Sequence, residues 1–206
     1  MKLYDAEGFI NPARVRIALA EKNATSFVEF VSVDVMAGEH RTAEYKAKNQ
    51  DAIVPCLELS DGTHISQCNA ITEYIDASFE GASLTGETPK ERAVISMMNL
   101  RAEKGLLDAV AAYFHNATPG LGPDLEVYQC EEWGNKQKEV AKVTMIYLND
   151  VLAENTFLAG DHFSVADITA YMGLVFADFA KIETPGSLTN LIAWRASVAA
   201  RPSIAG

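Results

Sequence analysis

Residues 80 to 89, EGASLTGETP, divide the chain into two stretches whose hydrophobic periodicities differ, so one layer pattern cannot describe the whole. Ahead of this segment, short β-type runs alternate with helical ones. They are Lys2 to Tyr4, Pro12 to Lys22, Phe27 to Val33 and a helical turn near Thr42 to Lys48, then Cys56 to Leu59 and Thr63 to Ile65 about the turn pair Asp61-Gly62, then Ser66 to Phe79. That order reads βαβαββα. The segment itself is small and polar, and Gly81, Gly86 and Pro89 punctuate it as they would a linker. Everything beyond reads helical. The expected organisation is an α/β domain over residues 1–79, a linker over 80–88 and an all-helical domain over 89–206.

Met97, Leu100, Leu107, Val110 and Phe114 recur at helical spacing, as do Val140, Val143, Tyr147, Val151 and Leu152, and both sets are expected in the core. Side chains also mark helix starts. Asn11-Pro12 sets a capping amide before a proline at the first helical position. Ser66 is expected to cap a helix running to Phe79, with Gln67 and Cys68 in its first turn and their backbone donors open. Ser164-Val165-Ala166-Asp167 has the form of a capping box, flanked by Phe163 and Ile168 at the spacing of a hydrophobic staple, and predicts a helix to about Ala180.

With 206 residues, 49% of them hydrophobic, the chain can bury a sizeable core. A net charge of -11 argues against nucleic acid and anionic membranes as partners. No run reaches the roughly 18 apolar residues of a spanning helix, and the first residues lack an apolar leader, so a soluble, cytoplasmic protein is expected. Three cysteines, Cys56, Cys68 and Cys130, lack metal-ligand spacing and read as free thiols in a reducing compartment, with no metal.

Pro55 is the anomaly. It interrupts an apolar run, Val54-Pro55-Cys56-Leu57-Glu58-Leu59, although proline removes a donor from a β-ladder and belongs on edges. Four stretches place it in context: NPARVRIALAEK at 11 to 22, GEHRTAEYKAKNQDAIVPCLEL at 38 to 59, DGTHISQCNAITEYI at 61 to 75 and FLAGDHFSVADITAY at 157 to 171. Together they resemble the cytosolic glutathione transferase family over nearly the whole chain. The resemblance implies a thioredoxin-like first domain, a homodimer, glutathione as co-substrate, and an electrophile bound in the cleft between the domains. It also implies a cis peptide bond before Pro55, which would turn the backbone of Val54 outward to pair with the cysteinyl unit of glutathione.

Glutathione is an extended tripeptide with a free amine and carboxylate at its γ-glutamyl end, a central thiol and a glycyl carboxylate. A helix N-terminus binds a carboxylate through open N–H groups and the helix dipole, which assigns Gln67 and Cys68 to the γ-glutamyl end. Relatives usually carry Glu-Ser there, so this pair keeps the backbone donors but loses the charge facing the ligand's ammonium. His40 and Arg41 lie where relatives place a basic group for the glycyl carboxylate; a solvated helix start is the other reading. Ile53 stands where a basic residue is often found.

A thiol titrates near 8.5 and reacts as the thiolate, so a transferase must supply a donor or a base. Relatives use Tyr, Ser or Cys near the end of the first strand. Here Asp5 is followed by Ala6-Glu7-Gly8-Phe9-Ile10, without hydroxyl or thiol. Two candidates remain. Asn11 is either a helix cap, an amide donor to the sulfur, or both. His115, in Tyr113-Phe114-His115-Asn116-Ala117-Thr118-Pro119, resembles the histidine of a bacterial and fungal branch of the family that also lacks the usual residue. It reads either as a base for the thiol or as a helix-end histidine facing the carbonyl dipole. Phe9, Tyr113 and Phe114 are candidate walls for a small apolar electrophile. The expected function is conjugation of the glutathione thiolate to such an electrophile. A noncatalytic binding protein of the same fold is the alternative, and a glutathione-dependent thiol-disulfide reductase ranks below it because the 6–10 loop has no cysteine.

Overall fold

The computed structural model describes residues 1–205, whose contacts form two compact units, Met1–Leu84 and a second beginning at Thr85. The first runs β1 (Lys2–Asp5), α1 (Ile10–Glu21), β2 (Glu29–Ser32), α2 (Ala43–Lys46), β3 (Cys56–Glu58), β4 (His64–Ser66) and α3 (Cys68–Ser78). Its sheet has the order β2-β1-β3-β4, with β1 parallel to β2 and antiparallel to β3. This is a thioredoxin-like domain. Register is set by apolar partners: Leu3 faces Phe30 on one side and Leu57 on the other, and Leu57 faces Ile65. Alternation along β1 sends Leu3 and Asp5 to one face of the sheet and Lys2 and Tyr4 to the other. On the first face Leu3 and Leu57 join Val15 and Leu19 of α1 and Ile71 and Ile75 of α3 in a closed core. On the second, Tyr4 meets the edge of Tyr45 from α2 at 6.3 Å between ring centroids.

Two of the ion pairs in this unit engage buried carboxylates. Asp5, buried at the end of β1, accepts from Nε and NH2 of Arg16. Lys22, just past α1, reaches Asp76 of α3 at 3.0 Å with both side chains buried, and it also donates to the Ala82 carbonyl at 3.2 Å. Asp76 in turn accepts from Leu84 N–H at 3.0 Å and from the Ser83 hydroxyl at 3.2 Å. The chain after α3 is thereby fastened to the α1–α3 layer.

The second unit is helical: α4 (Pro89–Ala102), a π-helical turn (Glu103–Leu107), α5 (Asp108–Ala117), α6 (Glu131–Glu154), α7 (Val165–Phe179), α8 (Thr189–Ala199) and α9 (Pro202–Ala205). Thr88 and Glu91 close a capping box on α4, with Pro89 in its first turn. Gly105 permits the π turn to approach α6, since a Cβ there would lie 2.5 Å from Thr144 Oγ1. The α7 start is as expected, with Ser164 accepting from Ala166 N–H and Asp167 accepting from Ser164 N–H at 3.0 Å. Residues 118–130 are irregular, contrary to a reading that made everything past the linker helical.

Two local expectations are corrected. Ser66 does not cap α3; it closes β4 opposite Cys56, and Gln67 takes the cap position with φ 72° and ψ 123°. A single residue in a positive-φ conformation turns strand into helix, leaving no room for a separate polar cap. Part of the expected core is also at the surface. Leu107, Val110, Phe114 and Leu152 are buried, whereas Met97, Leu100, Val140, Val143 and Tyr147 are exposed, Val143 at 66%. Helical spacing finds an apolar stripe but does not say what covers it, and α6 carries a second, inward stripe of Ala141, Met145 and Leu148.

Candidate functional site

The N-termini of α1 and α3 lie side by side, joined by a buried arginine. Arg14 donates from NH1 to Asn11 Oδ1 at 3.1 Å and from NH2 to Asn69 Oδ1 at 3.0 Å. Cys68, the first residue of α3, turns its thiol to the Asn11 carbonyl at 3.4 Å. Asn11 is not the cap of α1. The helix begins at Ile10 behind Phe9, which makes no side-chain cap, so Asn11 is its second residue. Pro12 tolerates this because first-turn N–H groups have no intrahelical partner anyway. With Oδ1 held by Arg14, the exposed Asn11 amide presents its NH2 as the outward donor.

Gln67, exposed at the tip of α3, donates from Nε2 to Asp51 Oδ2 at 2.8 Å. The 49–55 loop is pinned from within: the Ile53 carbonyl accepts from Tyr45 OH and Asn49 Nδ2, each at 2.7 Å. Burial raises the Tyr45 phenol, so it remains protonated and can donate. The following peptide, Val54-Pro55, is cis. Val54 takes part in no backbone–backbone hydrogen bond with the described residues, and strand pairing resumes only at Cys56. The unpaired Val54 thus precedes a strand, β3, whose first residue Cys56 pairs with Ser66, two residues before α3 begins. Open N–H groups at a helix N-terminus attract a carboxylate.

His40 and Arg41 fall in a 3-10 turn, Glu39–Arg41, ahead of α2. His40 is buried rather than solvated, and burial, then the Arg41 charge, lowers its pKa, so at neutral pH it brings no positive charge to a carboxylate. Arg41 remains the cation of this turn. Cys56 is buried, and that burial, helped by the Glu58 charge, pushes its thiol up to about 11, which makes it a poor nucleophile. Among the described residues no cluster of His, Cys, Asp or Glu could hold a metal ion.

His115 occupies the last turn of α5. Its Nδ1 lies 2.7 Å from Glu126 Oε1, and its side chain remains 41% exposed while that of Glu126 is 10% exposed. Phe114 packs against Phe176 at 5.4 Å and Phe179 at 5.5 Å between ring centroids. Phe179 is 68% exposed. Tyr113 is covered differently, with Lys138 Nζ 4.8 Å from its ring centroid. Phe9 is half-buried at the α1 cap.

Sequence reasoning missed Arg14, Asp51, Glu126, Phe176 and Phe179. Arg14 had a signal, since Asn11 and Arg14 share a helix face at i,i+3 and the arginine sits among apolar residues. Asp51 and Glu126 lie in irregular loops without periodicity, so nothing in the sequence points to their partners.

Comparison with known proteins places these features in a family. The N-terminal domain model of glutathione S-transferases matches residues 1–77, and the C-terminal domain model matches residues 107–202. Glutathione S-transferase 2 of Saccharomyces cerevisiae is 52% identical over 204 residues, covering 99% of this chain and 88% of that protein. A crystal structure of a glutathione S-transferase domain-containing protein from Marinobacter aquaeolei superposes with a TM-score of 0.99 at 72% identity, over 99% of this chain and 100% of that one. The crystal structure of Gtt2 from Saccharomyces cerevisiae gives 0.97 at 52% identity, over 100% and 99% of the two chains.

Proposed function

Because the chain belongs to the glutathione S-transferase family, whose enzymes use glutathione as co-substrate, we propose that it conjugates the glutathione thiolate to a small apolar electrophile. The observation that carries this reading is the Val54 backbone, unpaired among the described residues, ahead of the Cys56–Ser66 pair that leads into the α3 N-terminus, where an extended γ-glutamyl tripeptide would pair. In this reading Val54 pairs with the cysteinyl backbone, the first turn of α3 at Gln67 and Cys68 holds the γ-glutamyl carboxylate, and Arg41 takes the glycyl carboxylate. Asp51, bonded to Gln67, supplies the negative charge that the Gln67-Cys68 pair lacks. The Asn11 amide and the His115 imidazole are the groups assigned to the thiol.

Phe114, Phe176 and Phe179, three mutually tilted rings in contact, form the apolar wall. The buried, weakly acidic Cys56 disfavours the thiol-disulfide reductase reading. Three free cysteines suit a reducing, cytoplasmic setting, where conjugation would serve detoxification. Among the described residues no helix is long and apolar enough to cross a membrane. Retention on immobilised glutathione combined with conjugation of a halonitrobenzene tests the proposal. Both are expected, and retention without conjugation would favour the noncatalytic binding protein.

The exposed stripe has an occupant in the same reading. Leu100 of α4 and Val143 and Tyr147 of α6 line one groove with Arg101, Lys104, Gly105 and Thr144, and Met97, Val140 and Ile146 are exposed on the same two helices. A second copy of this chain would bury the stripe and form a homodimer. Val143→Asp is then expected to yield a monomer by light scattering at micromolar concentration, while the wild-type chain runs as a dimer. A monomeric wild type would contradict this.

A further inference from the structure

We propose that Glu126 is the positioning residue of His115, holding the imidazole proton on Nδ1 so that Nε2 is the basic atom; this rests on the reading in which His115 activates the thiol. The loop between α5 and α6 is folded around this carboxylate. Glu126 Oε1 lies 2.7 Å from His115 Nδ1 and also accepts from Leu121 N–H at 2.8 Å. Gly120 has φ 56°, in the left-handed region that favours glycine, and a Cβ there would displace the same carboxylate. Gln129 then ties the far end of the loop back, donating to the carbonyls of His115 and Thr118, each at 2.8 Å, and Cys130 N–H bonds Asn116 Oδ1 at 3.0 Å. So many constraints on one exposed loop exceed what the end of a helix requires.

The chemistry follows from acceptor counting. The Glu126 side chain is nine-tenths buried, and because a carboxylate can only accept, a neutral imidazole facing it carries its hydrogen on Nδ1. Nε2 then holds the lone pair, on a side chain that is 41% exposed, and has no hydrogen-bond partner among the described residues. When Nε2 takes the thiol proton, the S–H electron pair stays on sulfur as the thiolate. The resulting imidazolium is stabilised by the Glu126 charge across its Nδ1–H bond. The proton leaves to solvent after the sulfur–carbon bond forms and the electrophile's leaving group departs with its own pair. Free imidazole has no such preference for Nδ1–H, so the carboxylate is what selects the tautomer.

Ring nitrogen-15 shifts of His115, assigned by comparison with His115→Ala, test this without any substrate. The wild-type neutral ring is expected as the Nδ1–H tautomer, and Glu126→Ala should move it towards Nε2–H. In conjugation assays Glu126→Ala should lower kcat at least tenfold with glutathione affinity within twofold, and Glu126→Gln, which keeps an acceptor but no charge, should fall between. Glu126→Gln also serves where Glu126→Ala does not fold. An Nε2–H tautomer in the wild type, or an unchanged kcat in Glu126→Gln, would overturn the role of Glu126. Full rate in His115→Ala would instead overturn the base on which the proposal rests, whatever the tautomer.

Discussion

Asp167→Ala is expected to destabilise the helical unit by about 4 kcal/mol or more, because four buried donors lose their acceptor at a cost of roughly 1–3 kcal/mol each. Its carboxylate accepts from Leu158 N–H, Ser164 N–H and Trp194 Nε1–H, all at 3.0 Å, and from the Ser164 hydroxyl at 3.1 Å. One fully buried side chain thus ties the loop before α7, the start of α7 and α8 together. Burial outweighs the four donors and raises the carboxyl to about 6. The folded chain therefore holds this proton more tightly than the unfolded one. That contribution is complete below about pH 4 and is lost as pH rises through about 6. Denaturant unfolding of the wild type should show this loss between pH 4 and 7, and Asp167→Ala should lack it. A stability change below 1 kcal/mol in the variant would show that Asp167 is not the node described.

The second large effect is expected at Asp76. Removing one member of a buried ion pair strands the other charge, at a cost of about 3–5 kcal/mol. Asp76→Ala leaves the Lys22 ammonium, buried to 3% side-chain exposure, with only the Ala82 and Gly81 carbonyls. Replacing both partners with apolar residues, Lys22→Met with Asp76→Leu, should recover much of the loss, since no uncompensated charge remains. Chemical denaturation of the three variants checks this. If the double variant proves as unstable as Asp76→Ala, the penalty comes from lost anchoring of Ser83 and Leu84 instead of stranded charge.

Much of the fold was legible because its signals are local. The βαβαββα order and the Ser164–Asp167 box were read from local pattern, the cis step at Val54-Pro55 was implied by the family resemblance, and each stands in the structure as expected. The misplacements share a cause. Asn11 and Ser66 are good capping residues, yet the helix starts were decided by neighbours, Phe9 with extended backbone and Gln67 with positive φ. Exposure of Val143 and Leu100 could not be read from periodicity, because an outward apolar stripe and an inward one look alike in sequence. At the candidate site, Asn11, Gln67 and Cys68 were recognised by type and motif and lie together. Asp51, the partner of Gln67, and Glu126, the partner of His115, were invisible because those contacts are made between segments, whereas Arg14 had the i,i+3 spacing to Asn11 as its signal.

The most direct test of thiol activation is the conjugation rate of His115→Ala, measured beside its unfolding free energy and its affinity for glutathione. Loss of a catalytic base is expected to lower kcat/KM by roughly tenfold to a thousandfold. Glutathione affinity should stay within twofold and the fold should remain intact, because His115 lies in the helical unit and its exposed ring fills no core. A folded His115→Ala enzyme that conjugates a halonitrobenzene at the wild-type rate would contradict the assignment.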